Sequence, residues 1–235
     1  MKFIKPFLII SEMDRVLLLS ALFSVSMVAF RIYFTGDLTF IFLVWNLFLA
    51  FIPYAISTWM ERKTVNRNKW TFLFAGLTWL LFIPNSFYII TDLFHLPGKE
   101  DAPLWFDLAL LFSFAWSGIL FGLISVRQVE RIFERFFNPK FDLLFIVPVM
   151  LLNGLGIYVG RYLRFNSWDV ITNPFQLAED IIYLFIHPLR NRLDWSMIIC
   201  YSLLMTLIYM AVKNMSKVFW RHPNISKEQR LQGRI

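Results

Sequence analysis

Residues 105–126 read WFDLALLFSFAWSGILFGLISV, and after Asp107 this stretch carries no charge. About 20 apolar residues in helical conformation cross the hydrocarbon core of a bilayer. A soluble domain rarely needs so long an uncharged run. Working outward, runs of similar length and character occupy residues 16–34, 38–59, 70–90, 141–159 and 195–212. Trp59, Trp70, Trp105, Tyr158 and Trp195 stand near their ends, where amphipathic rings favour the headgroup layer. The whole chain is 58% hydrophobic, against about 45–50% in soluble domains, too much for one globular core to hide. The expected fold is all-α: a polytopic transmembrane bundle of about six spans, forming a single membrane domain over residues 1–235.

Orientation follows from the basic residues. With the N-terminus inside, 17 of the 23 Lys and Arg residues fall in the N-terminal lead, two inside loops and the C-terminal tail. Such a bias places both ends in the cytoplasm. Topology therefore accounts for the net charge of +7, and no nucleic-acid partner is expected. Two apolar pieces are too short to cross. Residues 3–10 form an interfacial lead-in, and residues 175–186 form a helix lying on the outer surface after Asn173-Pro174. The tail 213–235 is basic and polar, a topology anchor able to touch anionic lipid. No cleavable signal peptide is recognised, because the first long apolar run exceeds an h-region and no small-residue cleavage site follows it. The lone Cys200 lies within the last span and reads as a small buried apolar side chain.

Two segments carry the polar chemistry. The third span ends PNSFYIITDLFHL, residues 84–96. Pro84 should kink that helix and free carbonyls for which Asn85 and Ser86 are suitable neighbours. If helix persists, Asn85, Tyr88, Asp92 and His95 line one stripe. The fifth span ends GRYLRFNSWD, residues 160–169. Arg161 and Arg164 are three apart and can point the same way, and Gly154, Gly156 and Gly160 permit close helix approach. Both segments end at the outer face under this topology. Asp92 and His95 are thus expected to meet Arg161 and Arg164, with Asp169 adding a carboxylate.

These two segments, together with the apolar runs between them, resemble the bacterial membrane proteins grouped as domain of unknown function 1361. The likeness runs from the second span to the last. It implies a multi-pass protein of a bacterial cell membrane and brings no established activity, substrate or cofactor. The matching positions are Pro84, Asn85, Tyr88, Thr91, Asp92 and His95, then Gly160, Arg161, Arg164, Asn166, Ser167, Trp168 and Asp169.

The same atoms admit two uses. As an ion-pair cluster they would tie two helix ends and an outer loop together, since arginine forks pair well with carboxylates. As a site, Arg161 and Arg164 would hold an anionic lipid headgroup with help from Asn85, Tyr88, Asn166, Trp168 and Asp169. Asp92 and His95 would then be the catalytic pair that moves a proton. The partner expected is membrane lipid, and any protein partner is left open. Among weaker positions, Asn46 and Asn153 should join helices by hydrogen bonds. Arg31 should snorkel to the outer surface. Asp107 stands within possible reach of the arginine cluster. No phosphate loop, nucleophile elbow, H-E-x-x-H or C-x-x-C motif occurs, and no metal site is expected. No carboxylate stands at mid-depth of any expected span, which argues against a proton-driven pump. An adaptor without chemistry is the competing reading, and small-solute transport a more distant one.

Overall fold

A computed structural model of the protein describes residues 12–62, 69–96, 102–135 and 142–221. The lead-in 3–10 and the tail beyond residue 221 lie outside the described residues. The elements, in order, are α1 Glu12–Thr35, α2 Phe42–Arg62, α3 Lys69–Tyr88, a 3-10 segment Ile89–His95, α4 Leu104–Glu134, α5 Asp142–Arg161, the single turn α6 Asp169–Thr172, α7 Pro174–Ile186 and α8 Arg192–Arg221. Six helices are long and apolar enough to cross a membrane, and α4 is the most buried of them.

α4 is central because of its small residues. It packs against α1, α2, α3 and the 3-10 segment, while α5 bridges α3 to the peripheral α8. A Cβ on Gly118 would lie 2.8 Å from Ile89 Cγ2, and one on Gly122 would lie 2.8 Å from the Phe87 ring. Without a hydrophobic drive between helices in lipid, such close approach and interhelical hydrogen bonds hold the bundle. The hydroxyls supply the bonds: Ser20 and Ser117 meet at 2.6 Å, Ser57 and Ser125 at 2.9 Å, and Trp79 Nε1 donates to Ser125 at 2.8 Å.

Side chains of α3 and α4 donate to carbonyls beside two in-helix prolines, Pro53 of α2 and Pro84 of α3. Pro53 disturbs the ladder of α2, and Ser86 Oγ donates to the Ala50 carbonyl at 2.9 Å while Ser125 Oγ donates to the Pro53 carbonyl at 3.0 Å. Ser86 thus serves the kink of α2 rather than that of its own helix. Asn85 serves its own, donating to the Phe82 carbonyl at 3.0 Å.

Most expected spans agree with the helices to within a turn, but α4 continues two turns past residue 126 and α8 continues past residue 212 to Arg221, into the segment expected as tail. Arg127, Glu130 and Glu134 sit at helical spacing and pair along α4, Arg127 reaching Glu134 at 2.9 Å. Glu130 is fully buried there, accepting from Tyr209 and, at 2.6 Å, from Lys213 Nζ. This network joins α8 to α4 beside the core that Met205 and Tyr209 share with Leu123 and Val126. Two further expectations are corrected. Arg31 does not snorkel: it is 2% exposed, with Nε 2.8 Å and Nη2 3.2 Å from the Asp107 carboxylate and Nη1 3.4 Å from Asp37. A two-point carboxylate inside the bundle outcompetes water at the helix end, and it removes Asp107 from the arginine cluster. Cys200 is exposed on α8, not buried.

Candidate functional site

Pro84 and the glycines of α5 decide how closely two helices meet at the end of the bundle expected to be extracytoplasmic. A Cβ on Gly156 would fall 2.5 Å from Pro84 Cβ, and one on Gly160 would fall 3.1 Å from the Tyr88 ring. α5 therefore lies directly on the kinked end of α3. Beyond Tyr88 the chain tightens into the 3-10 segment, whose three-residue turn keeps Asp92 and His95 in register.

Asp92 is 1% exposed and faces inward. Asn46 Nδ2 of α2 donates to its Oδ2 at 2.9 Å. Arg161 Nη1 lies 3.9 Å from Oδ1, a long ion pair, and the guanidinium sits 5.3 Å from the centre of the Phe94 ring. His95 is exposed, and its Nδ1 lies 3.2 Å from the main-chain carbonyl of Asp92 rather than pointing at the carboxylate. A carbonyl only accepts, so that nitrogen carries the proton. The ring also packs 5.1 Å from Phe42. The structure brings Asp92 and Arg161 together and places His95 beside them by its backbone contact.

Arg164 and Asp169 go elsewhere. α5 ends with the Phe165 N–H bonded back to the Val159 carbonyl at 3.2 Å and Arg164 left-handed at φ 59°. Glycine normally takes that position, because a side chain there costs about 1–2 kcal/mol. Arg164 is exposed and makes no hydrogen bond or ion pair among the described residues. Asp169 closes the next turn: its carboxylate accepts from the Asn166 N–H at 2.6 Å and from Thr172 Oγ1 at 2.9 Å. The Asn166 backbone bond, with Thr172 next, holds its pKa below the usual carboxylate range. Trp168 packs 6.4 Å from Trp45, two half-exposed rings of the kind that favour the headgroup layer.

A cavity of about 270 Å³ opens beside this cluster, between α2, α3, α5 and α7. Its deeper wall is apolar, formed by Leu80, Leu81, Leu152 and Leu155, and Leu177 and Ile181 of α7 cover it. Its outer end is lined by Asn46, Asn85, Tyr88, Asn166 and Ser167. Asn85 Nδ2 donates to Ser167 Oγ at 2.8 Å, tying the 166–169 turn to α3. The residues singled out in the sequence thus divide. Asn85, Tyr88 and Asn166 line the cavity, whereas Asp92, His95, Arg161, Arg164, Trp168 and Asp169 surround it without lining it. No lining residue carries a charge. Among the described residues, no group of acidic, His and Cys side chains is placed to hold a metal ion.

α7 covers the cavity because it is tied on both sides. Leu184 is buried with Tyr158 and Ile198, and Trp195 Nε1 donates to the Leu184 carbonyl at 3.2 Å. Phe175, Ile182, Phe185 and Ile186 remain exposed on its other faces, as suits a helix lying along a membrane surface. Two contributors escaped the sequence as site members. Asn46 was read only as a helix joiner, and it supplies both the bond to Asp92 and part of the cavity. Ser167 was identified by resemblance and gains its place from Asn85. Asn46 stands near the same end of the bundle as Asp92, which is the one signal that connects them before folding.

No curated protein and no solved structure matches the chain. One family does, described as a protein of unknown function, DUF1361, and it matches residues 45–210. That stretch takes in α3 to α7 with the cavity, Asp92, Arg161 and the 166–169 turn, and the chain belongs to this family.

Proposed function

We propose that this protein binds a membrane amphiphile at the extracytoplasmic face of a bacterial cell membrane, the apolar chain in the cavity and the head at its polar end. The observation that carries this is the cavity's polarity gradient: leucines at depth, amides and hydroxyls at the outer end. A lipid of the outer leaflet has the same order. The volume supports a length of one hydrocarbon chain rather than a whole lipid, since about 150 Å³ encloses benzene and drug-sized ligands need about 300–1,000 Å³. Arg164 adds an unpaired cation near the mouth, in a backbone position that glycine would fill more cheaply, and so supports an anionic group on the ligand.

Binding is better supported than chemistry. Proton transfer by Asp92 and His95 would need imidazole and carboxylate to address one another or a common atom. Here the carboxylate is buried with Asn46 and Arg161 as its partners, and among the described residues the imidazole hydrogen-bonds the main chain rather than the carboxylate. The adaptor reading draws on the Asp92–Arg161 pair, which ties the 3-10 segment to α5. Purified protein in phosphatidylcholine nanodiscs, titrated with phosphatidylglycerol, separates the two. Val170 lines the cavity and is 41% exposed, so Val170→Trp should fill the mouth without disturbing the core. Saturable binding lost in Val170→Trp and weakened in Arg164→Gln is the expected result. Binding equal in all three proteins would overturn the proposal.

A further inference from the structure

The hydrogen bonds at the polar end of the cavity fix which way its amides face. Asn46 directs Nδ2 to the Asp92 carboxylate, Asn85 directs Nδ2 to the Phe82 carbonyl and Ser167, and Asn166 directs Nδ2 to the Asp169 carboxylate at 3.4 Å. Carboxylates and main-chain carbonyls are pure acceptors, so none of these amides can be flipped without losing a bond. Asn85 thus spends both of its N–H donors on the protein, whereas Asn46 and Asn166 spend one each and keep one. Among the described residues, their Oδ1 atoms accept no hydrogen bond. The Oδ1 atoms of Asn46 and Asn85 are also not sealed off, since among the described residues the one buried side-chain polar atom without a partner is Asn153 Oδ1. Both residues line the cavity.

We infer that the group seated at this end of the cavity is a hydrogen-bond donor, namely the hydroxyls of a polyol or sugar head. This deepens the proposed function and rests on it. The three amide oxygens are acceptors with no formal charge, and the spare N–H groups of Asn46 and Asn166 stand beside them as donors. A sulfate or a fully ionised phosphate there could accept from the donors but would leave the three amide oxygens unpaired, whereas each hydroxyl offers a proton and accepts one in return. Tyr88 and Ser167 complete the match. Ser167 accepts from Asn85 and so keeps its own O–H to donate, and the Tyr88 hydroxyl makes no hydrogen bond among the described residues. With the two spare amide N–H groups, four donors and three acceptors suit vicinal hydroxyls. An anionic group on the same ligand would then lie farther out, toward Arg164.

Two amphiphiles with the same chain test this. Decyl glucoside carries donors and no charge; decyl sulfonate carries charge and no donors. Binding of each to the protein in phosphatidylcholine nanodiscs is measured by equilibrium dialysis, with empty nanodiscs subtracted. Decyl glucoside should bind saturably, and Asn85→Ala should weaken it about tenfold, the worth of one such bond. Asn166→Ala, on an exposed turn, guards against a misfolded Asn85 variant and should weaken it likewise. Decyl sulfonate should be insensitive to both substitutions. If sulfonate alone binds and Val170→Trp abolishes it, the donor inference falls while the cavity reading stands. If neither binds, both fall.

Discussion

Removing Arg31 should damage the fold far more than removing Arg161, although both arginines face a buried aspartate. Arg31 holds Asp107 through two bonds of 2.8 and 3.2 Å, with side chains 1% and 6% exposed, and also reaches Asp37 and the face of Phe40 at 4.6 Å. Arg31→Met leaves Asp107 charged and buried, which costs about 3–5 kcal/mol. Arg161 is 20% exposed and stands 3.9 Å from Asp92, which keeps its bond to Asn46. At an effective dielectric of roughly 20 the bare attraction is about 4 kcal/mol, and desolvation and ordering of the side chain offset most of it. Arg161→Met should therefore cost only about 1–2 kcal/mol. Equilibrium unfolding in mixed micelles with increasing dodecyl sulfate measures both, and Asp107→Leu with Arg31→Met should recover part of the larger loss. An Arg161→Met loss equal to that of Arg31→Met would refute the distinction. Arg161 would then be a structural fastener, unavailable to a ligand.

Other consequences are simpler to state. Arg164→Gly should leave stability equal or improved by up to about 1 kcal/mol, because glycine suits φ 59°. The same variant should lose affinity for phosphatidylglycerol in the nanodisc titration. Gly156→Ala puts a carbon 2.5 Å from the rigid Pro84 ring; it should cost about 1–3 kcal/mol in the unfolding assay, with weakened lipid binding as α3 and α5 part. Asp169 has a folded pKa below its unfolded value, so what it adds to the 166–172 turn is present above the unfolded pKa and disappears as pH falls through the folded one. Asn166 amide protection should accordingly differ between wild type and Asp169→Asn at neutral pH and converge in acid. A reporter fused at residue 98 should be inactive if it is a cytoplasmic one, and activity there would invert the topology.

The spans were legible because a bilayer asks for length and apolarity, and residues 105–126 supply both without help from the rest of the chain. α7 was legible as a short helix for the opposite reason: residues 174–186 are apolar and too short to cross. α4 escaped by two turns because Arg127, Glu130 and Glu134 break the apolar run while continuing the helix. Hydropathy reports where lipid ends, not where hydrogen bonding ends. Arg31 was misread because snorkelling is the default for a lone arginine near a span end, and its true partner Asp107 is 76 residues away. The site was legible as a set of residue types. Its partition into a neutral cavity and a charged surround was not, since that depends on Asn46 reaching Asp92 first and on a left-handed turn at Arg164 carrying that side chain away from Arg161.

A phospholipid carrying a diazirine at mid-chain tests the central claim most directly. Irradiated in nanodiscs and mapped by mass spectrometry, it should label residues 152–156 and 177–181 above the level set by the lipid-facing leucines Leu203 and Leu207, both well exposed on α8. Val170→Trp should remove that excess while leaving the α8 labels unchanged. Uniform labelling of every lipid-facing helix, with no excess at the cavity, would contradict the account.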